Sequence, residues 1–254
     1  MHHGETINVL IIGARQGVGA ALAMQYAEQY SYAEQSRTAP VASAGRVHAT
    51  LRNLSDPGLV LRGLTPRIRL HELDVASDRQ IEALARAFDE ARARIHLLIH
   101  VAGVNQGSYE QQRRINSQGL FRVVDALMPS VMRSSSSNGR SICLVTSALG
   151  TSKFTKLFNA RFGDRCDAVS ECAYVKSKQH ANDEFRRREP SWRAQGVTAI
   201  LMQPGYVMTA MNNGSGRITA AQSAQGIRRL CTNLHHHPHR AGKFFDWQGK
   251  SVAW

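Results

Sequence analysis

Tyr174 and Lys178 stand four positions apart in a stretch that the sequence predicts to be helical. Side chains at positions i and i+4 share one face of a helix, so both could act on a single group. An ammonium beside a phenol favours the phenolate, which predicts a Tyr174 pKa lowered from about 10 toward neutral pH. Ser147, just past a predicted strand, could hydrogen-bond the same oxygen. The three residues predict proton transfer at a carbonyl or hydroxyl oxygen, although a lone Tyr–Lys pair is more often a solvated helix face.

A glycine-rich turn lies near the start of the chain. Gly13, Gly17 and Gly19 follow an apolar run and stand at the head of an Ala-rich segment. Glycine permits a tight turn and the close approach of a pyrophosphate, and the first N–H groups of a helix attract anions. The turn therefore predicts a nucleotide-binding site. That site would include the residues between the glycines, Arg15, Gln16 and Val18.

Two further strand ends offer contacts to a nucleotide. Asp74 and Val75 follow the third predicted strand. The Asp74 carboxylate could accept hydrogen bonds from an adenine amino group, or it could cap its own loop. His100, Ala102 and Gly103 close the fourth strand, where small residues would let a flat ring or a ribose lie against the backbone. Open α/β sheets bind their ligands at such strand ends.

Short apolar strands that alternate with helices must position all of these residues. The strands are predicted at Ile7–Ile12, Arg46–Leu51, Ile68–Leu73, Leu97–Val101, Ser141–Thr146 and Val197–Met202. The helices are predicted at Ala20–Tyr30, Ser77–Arg94, Ile115–Met132, Tyr174–Arg188 and Ala220–Leu234. This alternation predicts an α/β protein with a three-layer Rossmann fold, a doubly wound parallel sheet of about seven strands with helices on both faces.

Three stretches interrupt the alternation, namely Ser31–Gly45, Ser134–Gly139 and Ala148–Ala173. Because the alternation resumes after each, we expect residues 1–254 to form a single domain. The third stretch is too long for a simple loop. We expect Ala148–Ala173 and Met208–Arg217 to line the substrate pocket and to give it an apolar mouth. The apolar side chains there are Phe154, Leu157, Phe158, Met208 and Met211.

Composition excludes several other classes of protein. Of 254 residues, 43% are hydrophobic and 20% are charged, which is ordinary globular usage and not that of a disordered chain. No apolar run reaches the roughly 18 residues needed to span a bilayer, and the N-terminus lacks a signal-like pattern. Four widely spaced cysteines predict unpaired thiols in a reducing compartment, and hence a cytoplasmic protein.

The net charge of +13 raises the question of a polyanionic partner. The basic residues are scattered along the chain, however, and no recognition helix or aromatic RNA-binding motif occurs, which argues against nucleic-acid binding. No metal is expected either. The histidines His235–His237 and His239 have no cysteine or carboxylate partner beside them in the sequence.

These motifs together resemble the short-chain dehydrogenase/reductase family over nearly the whole chain. The glycine turn and Ala102-Gly103 match the family's cofactor-binding motifs, and Ser147, Tyr174 and Lys178 match its catalytic residues. The C-terminal segment, Gly242–Trp254, is similar to that of the C-signal branch. The long segment between Ser147 and Tyr174 resembles that of carbonyl reductase-like members, which implies a helix or flap over the substrate mouth.

The resemblance implies roles for further residues. Asn116 matches the helix Asn that supports a proton-relay water in the family. A motif after the sixth strand matches residues that lie over the nicotinamide, namely Pro204, Gly205, Tyr206, Val207 and Thr209. His100 departs from the family, which has Asn there. We expect its imidazole still to donate one hydrogen bond and cofactor binding to persist.

The resemblance also implies hydride transfer between a nicotinamide and a small-molecule carbonyl or secondary alcohol, in a homodimer or homotetramer. The end of the second strand, Arg46–Asn53, contains no acid to bind a ribose 2′-hydroxyl, whereas Arg15 and Arg52 suit a 2′-phosphate. NADP is therefore the expected cofactor, with NAD as the alternative. The alternative function is a catalytically idle nucleotide-sensing or signalling protein on the same scaffold.

Overall fold

Parallel strands form a single sheet in the computed structural model, which describes residues 7–35, 46–56, 61, 68–135, 139–154, 156, 160 and 170–254. Its seven strands are β1 (Asn8–Ile12), β2 (Arg46–Leu51), β3 (Ile68–Glu72), β4 (Leu97–His100), β5 (Ser141–Val145), β6 (Thr198–Gln203) and β7 (Phe244–Asp246). Their order across the sheet is β3-β2-β1-β4-β5-β6-β7. The order reverses between β1 and β4, so a ligand-binding crevice is expected beyond their C-terminal ends.

Helices cover both faces of the sheet. The α-helices whose bounds fall within the described residues are α1 (Gly17–Gln35), α2 (Asp78–Glu90), α3 (Tyr109–Arg113), α4 (Leu120–Met132), α5 (Ser170–Ala194) and α6 (Ala220–Cys231). A π-helical turn, Arg114–Gly119, joins α3 to α4. Single 3-10 turns occur at Ala148–Gly150, Ala210–Asn212, Leu234–His236 and Pro238–Arg240.

Two apolar cores fill the layers between the sheet and the helices, and successive residues of β4 show how. Leu98 belongs to the core that contains Phe121 of α4 and Phe185 of α5. Its neighbour Ile99 belongs to the opposite core, with Leu22 of α1. Strands buried on both faces are continuously apolar, which is why the sequence predicts them well. The predicted three-layer, doubly wound fold is confirmed.

Some boundaries differ from the sequence-based expectation. Helix α1 continues to Gln35 and takes up the first part of Ser31–Gly45, which was expected to be an insertion; residues 36–45 lie outside the described residues. Strand β7 is not located by sequence patterning, because three residues are too few for a periodic signal. Helix α5 extends beyond its predicted end with Pro190 inside it.

Two histidines form a stacked pair at the edge of the sheet. His48 Nδ1 lies 2.9 Å from His71 Nε2, and both rings contact Phe88 of α2. The pKa of each histidine is lowered to about 4, chiefly by burial and to a smaller extent by the positive charge of Arg69. The pair is therefore neutral in the folded protein at neutral pH.

This pair predicts an acid-sensitive stability. Between pH 6.5 and about 4 the unfolded chain binds protons that the folded histidines do not, so the stability present above pH 6.5 is lost as pH falls. Each histidine contributes at most about 1.4 kcal/mol per pH unit in this window. His71→Gln should make the pH dependence of the free energy of unfolding shallower in urea titrations. The exposed His239→Gln is the control, and equal slopes for the two variants would contradict this assignment.

Candidate active site

The glycine turn between β1 and α1 is packed too tightly for larger residues. Gly13 has a φ of +89°, and a Cβ there would lie 2.7 Å from the backbone of Ala102 at the end of β4. A Cβ on Gly19 would lie 2.1 Å from the Gly13 carbonyl oxygen. The Gly13 amide donates to Thr50 Oγ1 at 3.1 Å, which ties the turn to β2. The first turn of α1 is thereby held at the crevice between β1 and β4.

The loop after β6 approaches this turn from the other side of the crevice. A Cβ on Gly17 would lie 3.2 Å from Thr209 Cγ2. Gly205 has a φ of +88°, and the Ser223 hydroxyl donates to the Pro204 carbonyl at 2.7 Å. Val207 is buried and forms a bridge with Ile218. The predicted Pro204–Thr209 segment is therefore brought beside the glycine turn.

The other predicted nucleotide contacts lie along the same edge of the sheet. Asp74 Oδ1 accepts a hydrogen bond from the Ala76 amide at 2.9 Å, so the carboxylate caps its own loop as the alternative interpretation expected. Val75 beside it is buried. Arg52 is exposed directly after β2 and has no ion-pair partner among the described residues.

Arg15 lies in the glycine turn and forms an ion pair that the sequence did not predict. Arg15 Nη2 lies 2.5 Å from Asp56 Oδ2, and Gln16 Oε1 accepts a longer hydrogen bond from Arg15 Nη1 at 3.4 Å. The segment expected to show a cofactor-binding acid ends at Asn53, so Asp56 was not predicted. The polar run that follows β2 is the available signal, because such residues fold the chain back in a turn.

Asn116 is fully buried in the π-helical turn. Its Oδ1 accepts from the Val104 amide at 2.8 Å, and its Nδ2 donates to the Val104 carbonyl at 2.7 Å and to Ser177 Oγ at 2.9 Å. Ser177 in turn donates to the Tyr174 carbonyl at 2.8 Å. The Asn116 side chain thus joins the loop after β4 to helix α5. Sequence reasoning missed Ser177, which lies on the same helix between Tyr174 and Lys178.

His100 does not make the hydrogen bond that was expected of it. The side chain is fully buried at the end of β4, and neither ring nitrogen has a hydrogen-bond partner within the described part of the chain. Burial, with the nearby Lys178 charge, lowers the His100 pKa to about 3. A neutral ring therefore stands beside Lys178, where the family has an amide.

Ser147, Tyr174 and Lys178 lie together at the C-terminal edge of β5. Lys178 Nζ lies 5.7 Å from the Tyr174 ring centroid, and the Ser147 hydroxyl is near enough to the Tyr174 phenol to lower its pKa. A Cβ on Gly103 would lie 3.3 Å from Lys178 Nζ and 3.1 Å from Asn116 Oδ1. The lack of a side chain at Gly103 therefore allows the loop after β4 to pack closely against Lys178 and Asn116.

The expected direction of the Tyr174 pKa is wrong. Desolvation raises it to about 12, although the nearby Ser147 hydroxyl offsets part of this rise. Desolvation also lowers the Lys178 pKa to about 8. The i and i+4 spacing correctly places the two side chains near each other, but spacing alone carries no information about burial, which decides the direction here. Tyr174 is consequently a protonated phenol at neutral pH.

Asn182 fixes Ser147 relative to helix α5. Thr146 Oγ1 donates to Asn182 Oδ1 at 2.7 Å, and Asn182 Nδ2 donates to the Ser147 carbonyl at 3.3 Å. Gly150 allows the 3-10 turn after Ser147 to approach α5, since a Cβ there would lie 2.5 Å from the Lys178 carbonyl carbon. Sequence reasoning missed Asn182; it lies eight positions after Tyr174 on the same helix, which is the signal that was available.

The segment Ala148–Ala173 is described only in part. Phe154 is half-buried, whereas Leu157 and Phe158 lie outside the described residues. The expectation of four unpaired thiols is wrong for Cys172, which is disulfide-bonded. Cys143 and Cys231 are free and buried, and Cys166 lies outside the described residues.

Neither a membrane-spanning helix nor a metal-binding cluster occurs among the described residues. No helix among them is long and apolar enough to cross a membrane. No cluster of three or more histidine, cysteine, aspartate or glutamate side chains among them could hold a metal ion.

A parallel sheet with a glycine turn at its switch point defines a nucleotide-binding α/β protein, and the Ser, Tyr and Lys side chains at the same edge give it the polar groups of an oxidoreductase. Residues 7–159 match the family model described as short chain dehydrogenase, and the chain belongs to this family.

Among known proteins of similar sequence, one is named as a signal and another as a dehydrogenase. The C-signal of Myxococcus xanthus is 29% identical over 140 residues, which are 55% of this chain and 75% of that protein. The 1-hydroxy-2-glutathionyl-2-methyl-3-butene dehydrogenase of Rhodococcus sp. (strain AD45) is 26% identical over 239 residues, covering 84% of this chain and 96% of that protein.

Solved structures share the fold. An NADPH-bound carbonyl reductase from chicken fatty liver superposes with a TM-score of 0.79 at 21% identity, covering 98% of this chain and 100% of that one. The carbonyl reductase Sniffer of D. melanogaster superposes with a TM-score of 0.78 at 19% identity, with the same coverage.

The Asn182 contacts predict a positioning role that can be measured. Asn182→Ala leaves the Thr146 hydroxyl and the Ser147 carbonyl without their partner, which should lower the free energy of unfolding by about 1–3 kcal/mol. Displacement of Ser147 should lower kcat on the order of tenfold or more while KM for the cofactor stays unchanged. Gln225→Ala, on the exposed side of α6, is the control. An unchanged kcat in Asn182→Ala would exclude the positioning role.

Proposed function

We propose that the protein is an NADP-dependent oxidoreductase that transfers a hydride between the nicotinamide and a carbonyl or secondary alcohol substrate. The observation that supports this most is that Ser147, Tyr174 and Lys178 lie together at the same sheet edge as the glycine turn, with Lys178 Nζ 5.7 Å from the Tyr174 ring centroid. The family to which the chain belongs and the carbonyl reductase fold of its structural relatives support the same proposal.

The described residues fit a dinucleotide. The first turn of α1 offers N–H groups to the phosphates, through a turn that includes Gln16, Gly17 and Val18. Arg15 and Arg52 would hold a 2′-phosphate, and Lys178 would hold the ribose next to the nicotinamide. Val207 and Thr209 would contact the nicotinamide end.

Proton transfer is assigned to Tyr174. Its phenol, with a pKa of about 12, holds a proton at neutral pH and can give it to the oxygen of a carbonyl that Ser147 also binds. Lys178 keeps a positive charge below about pH 8 and favours the phenolate that remains. Asn116 holds the loop after β4 and helix α5 at a fixed separation behind this group.

The substrate is proposed to be a hydrophobic aldehyde, ketone or quinone. The loop after β6 exposes three large apolar side chains beside the site, Tyr206 (54%), Met208 (41%) and Met211 (40%). The Asn105 side chain donates to the Met211 carbonyl at 2.8 Å, which links this loop to the loop after β4. Exposed apolar side chains grouped around a crevice favour an apolar ligand. A single domain, a homo-oligomer and a cytoplasmic location remain predictions.

Replacement of the proton donor tests the proposed function. Tyr174→Phe should lower NADPH oxidation with a panel of aldehydes, ketones and quinones by about 10²–10⁴-fold, because the carbonyl oxygen then lacks its acid. NADPH binding, followed by fluorescence, should be retained. Tyr109→Phe is a matched control, since its hydroxyl contacts His180 at 3.2 Å and not Ser147. Turnover equal to wild type in Tyr174→Phe would refute the role, and NADPH binding without any wild-type turnover would support the sensing alternative.

The pH dependence of carbonyl reduction follows from the same two residues. Between pH 6 and 7 both Tyr174 and Lys178 hold their protons, so the rate should be near its maximum there. As pH rises through about 8, Lys178 loses its charge and kcat should fall. Steady-state rates between pH 6 and 10 check this, with return to pH 7 as the control for irreversible unfolding. A flat profile to pH 10 would contradict the assigned role of Lys178.

A further inference from the structure

An exposed ion pair stands where the proposed cofactor would place its adenosine ribose. Arg15 lies in the glycine turn after β1, and Asp56 lies in the loop after β2. Strands β1 and β2 are parallel neighbours, so their C-terminal ends reach the same edge of the sheet. The side chains are 43% and 45% exposed. Such exposed pairs add little to stability, so folding alone gives little reason for the contact.

The local backbone aims Asp56 at Arg15. Asn53 Oδ1 accepts hydrogen bonds from the Ser55 amide at 2.9 Å and the Ser55 hydroxyl at 2.7 Å. The Asp56 amide donates to the Asn53 carbonyl at 3.4 Å, which closes the turn. An Asn side chain that bonds two residues ahead stabilises a turn of this kind. The carboxylate is therefore held beside the guanidinium by its own segment.

We propose that Asp56 is a selectivity residue that opposes NADP and admits NAD, an inference that rests on the proposed function. A phosphate binds arginine best through two parallel N–H groups, and Asp56 already accepts from Arg15 Nη2. A 2′-phosphate must displace or approach this carboxylate, and the like charges repel. A 2′-hydroxyl can instead donate a hydrogen bond to it. Arg52, exposed and without an acidic partner among the described residues, favours the phosphate. The preference for NADP over NAD therefore depends on two opposing effects, attraction of the 2′-phosphate by Arg52 and its repulsion by Asp56.

Asp56→Asn tests this balance. Kd values for NADPH and NADH are measured by fluorescence for wild type and variant. Loss of the negative charge should raise the affinity ratio of NADPH to NADH by about three- to tenfold, mainly by lowering the Kd for NADPH. The gain should shrink in 0.5 M NaCl because exposed charges are screened. It should also shrink when Arg15→Gln is added, since the carboxylate acts partly through Arg15.

Asp78→Asn is the matched control, because Asp78 is also an exposed aspartate paired with an arginine, Arg122, but lies on α2. It should leave the ratio unchanged. A ratio in Asp56→Asn within twofold of wild type, or a weaker affinity for NADPH, would overturn the inference. Failure of the proposed function would give a different result, namely a wild-type protein that binds neither dinucleotide or reduces no carbonyl of the panel. The ratio of Kd values is measured without turnover, so the two failures can be distinguished.

Discussion

Helix α5 carries polar side chains into the layer beneath the sheet, and the hydrogen bonds that satisfy them fix the site. Buried polar groups must be paired or they destabilise the fold. Asn182 pairs with Thr146 and Ser147 at the end of β5, and Ser177 pairs with Asn116 behind the loop that follows β4. The hydrogen bonds that satisfy these buried side chains therefore also fix the positions of Tyr174 and Lys178 relative to β4 and β5.

Charged side chains lie at the side of the crevice that contains the glycine turn. The net charge of +13 initially suggests a polyanionic partner, but a dinucleotide needs only a few of these charges. Among the described residues several arginines are instead paired with carboxylates at the surface, as Arg133 is with Asp89. The pair of Arg15 and Asp56 is of the same chemical type, but it lies beside the glycine turn, where the proposed cofactor would bind. The remaining surplus has no assigned role.

Features that depend on local pattern were predicted well from the sequence. Strands β4 and β5 are continuously apolar because helices cover both faces, and the glycine turn is recognisable because larger residues would collide with Ala102. Features that depend on tertiary environment were not. Burial reverses the expected direction of the Tyr174 pKa, and His100 has an unpaired ring where one hydrogen bond was expected. Asp56 meets Arg15 only because β1 and β2 are neighbours in the sheet.

The central claim is that this site moves a hydride to a carbonyl carbon while Tyr174 supplies the proton. The most direct measurement is incubation with NADPH deuterated at nicotinamide C4, on either face, and a panel of aldehydes, ketones and quinones, followed by mass spectrometry of the products. We expect the alcohol formed from a carbonyl substrate to carry one deuterium at the former carbonyl carbon, from one of the two deuterated forms. Absence of deuterated product from every substrate with both forms, in a protein that binds NADPH, would contradict it.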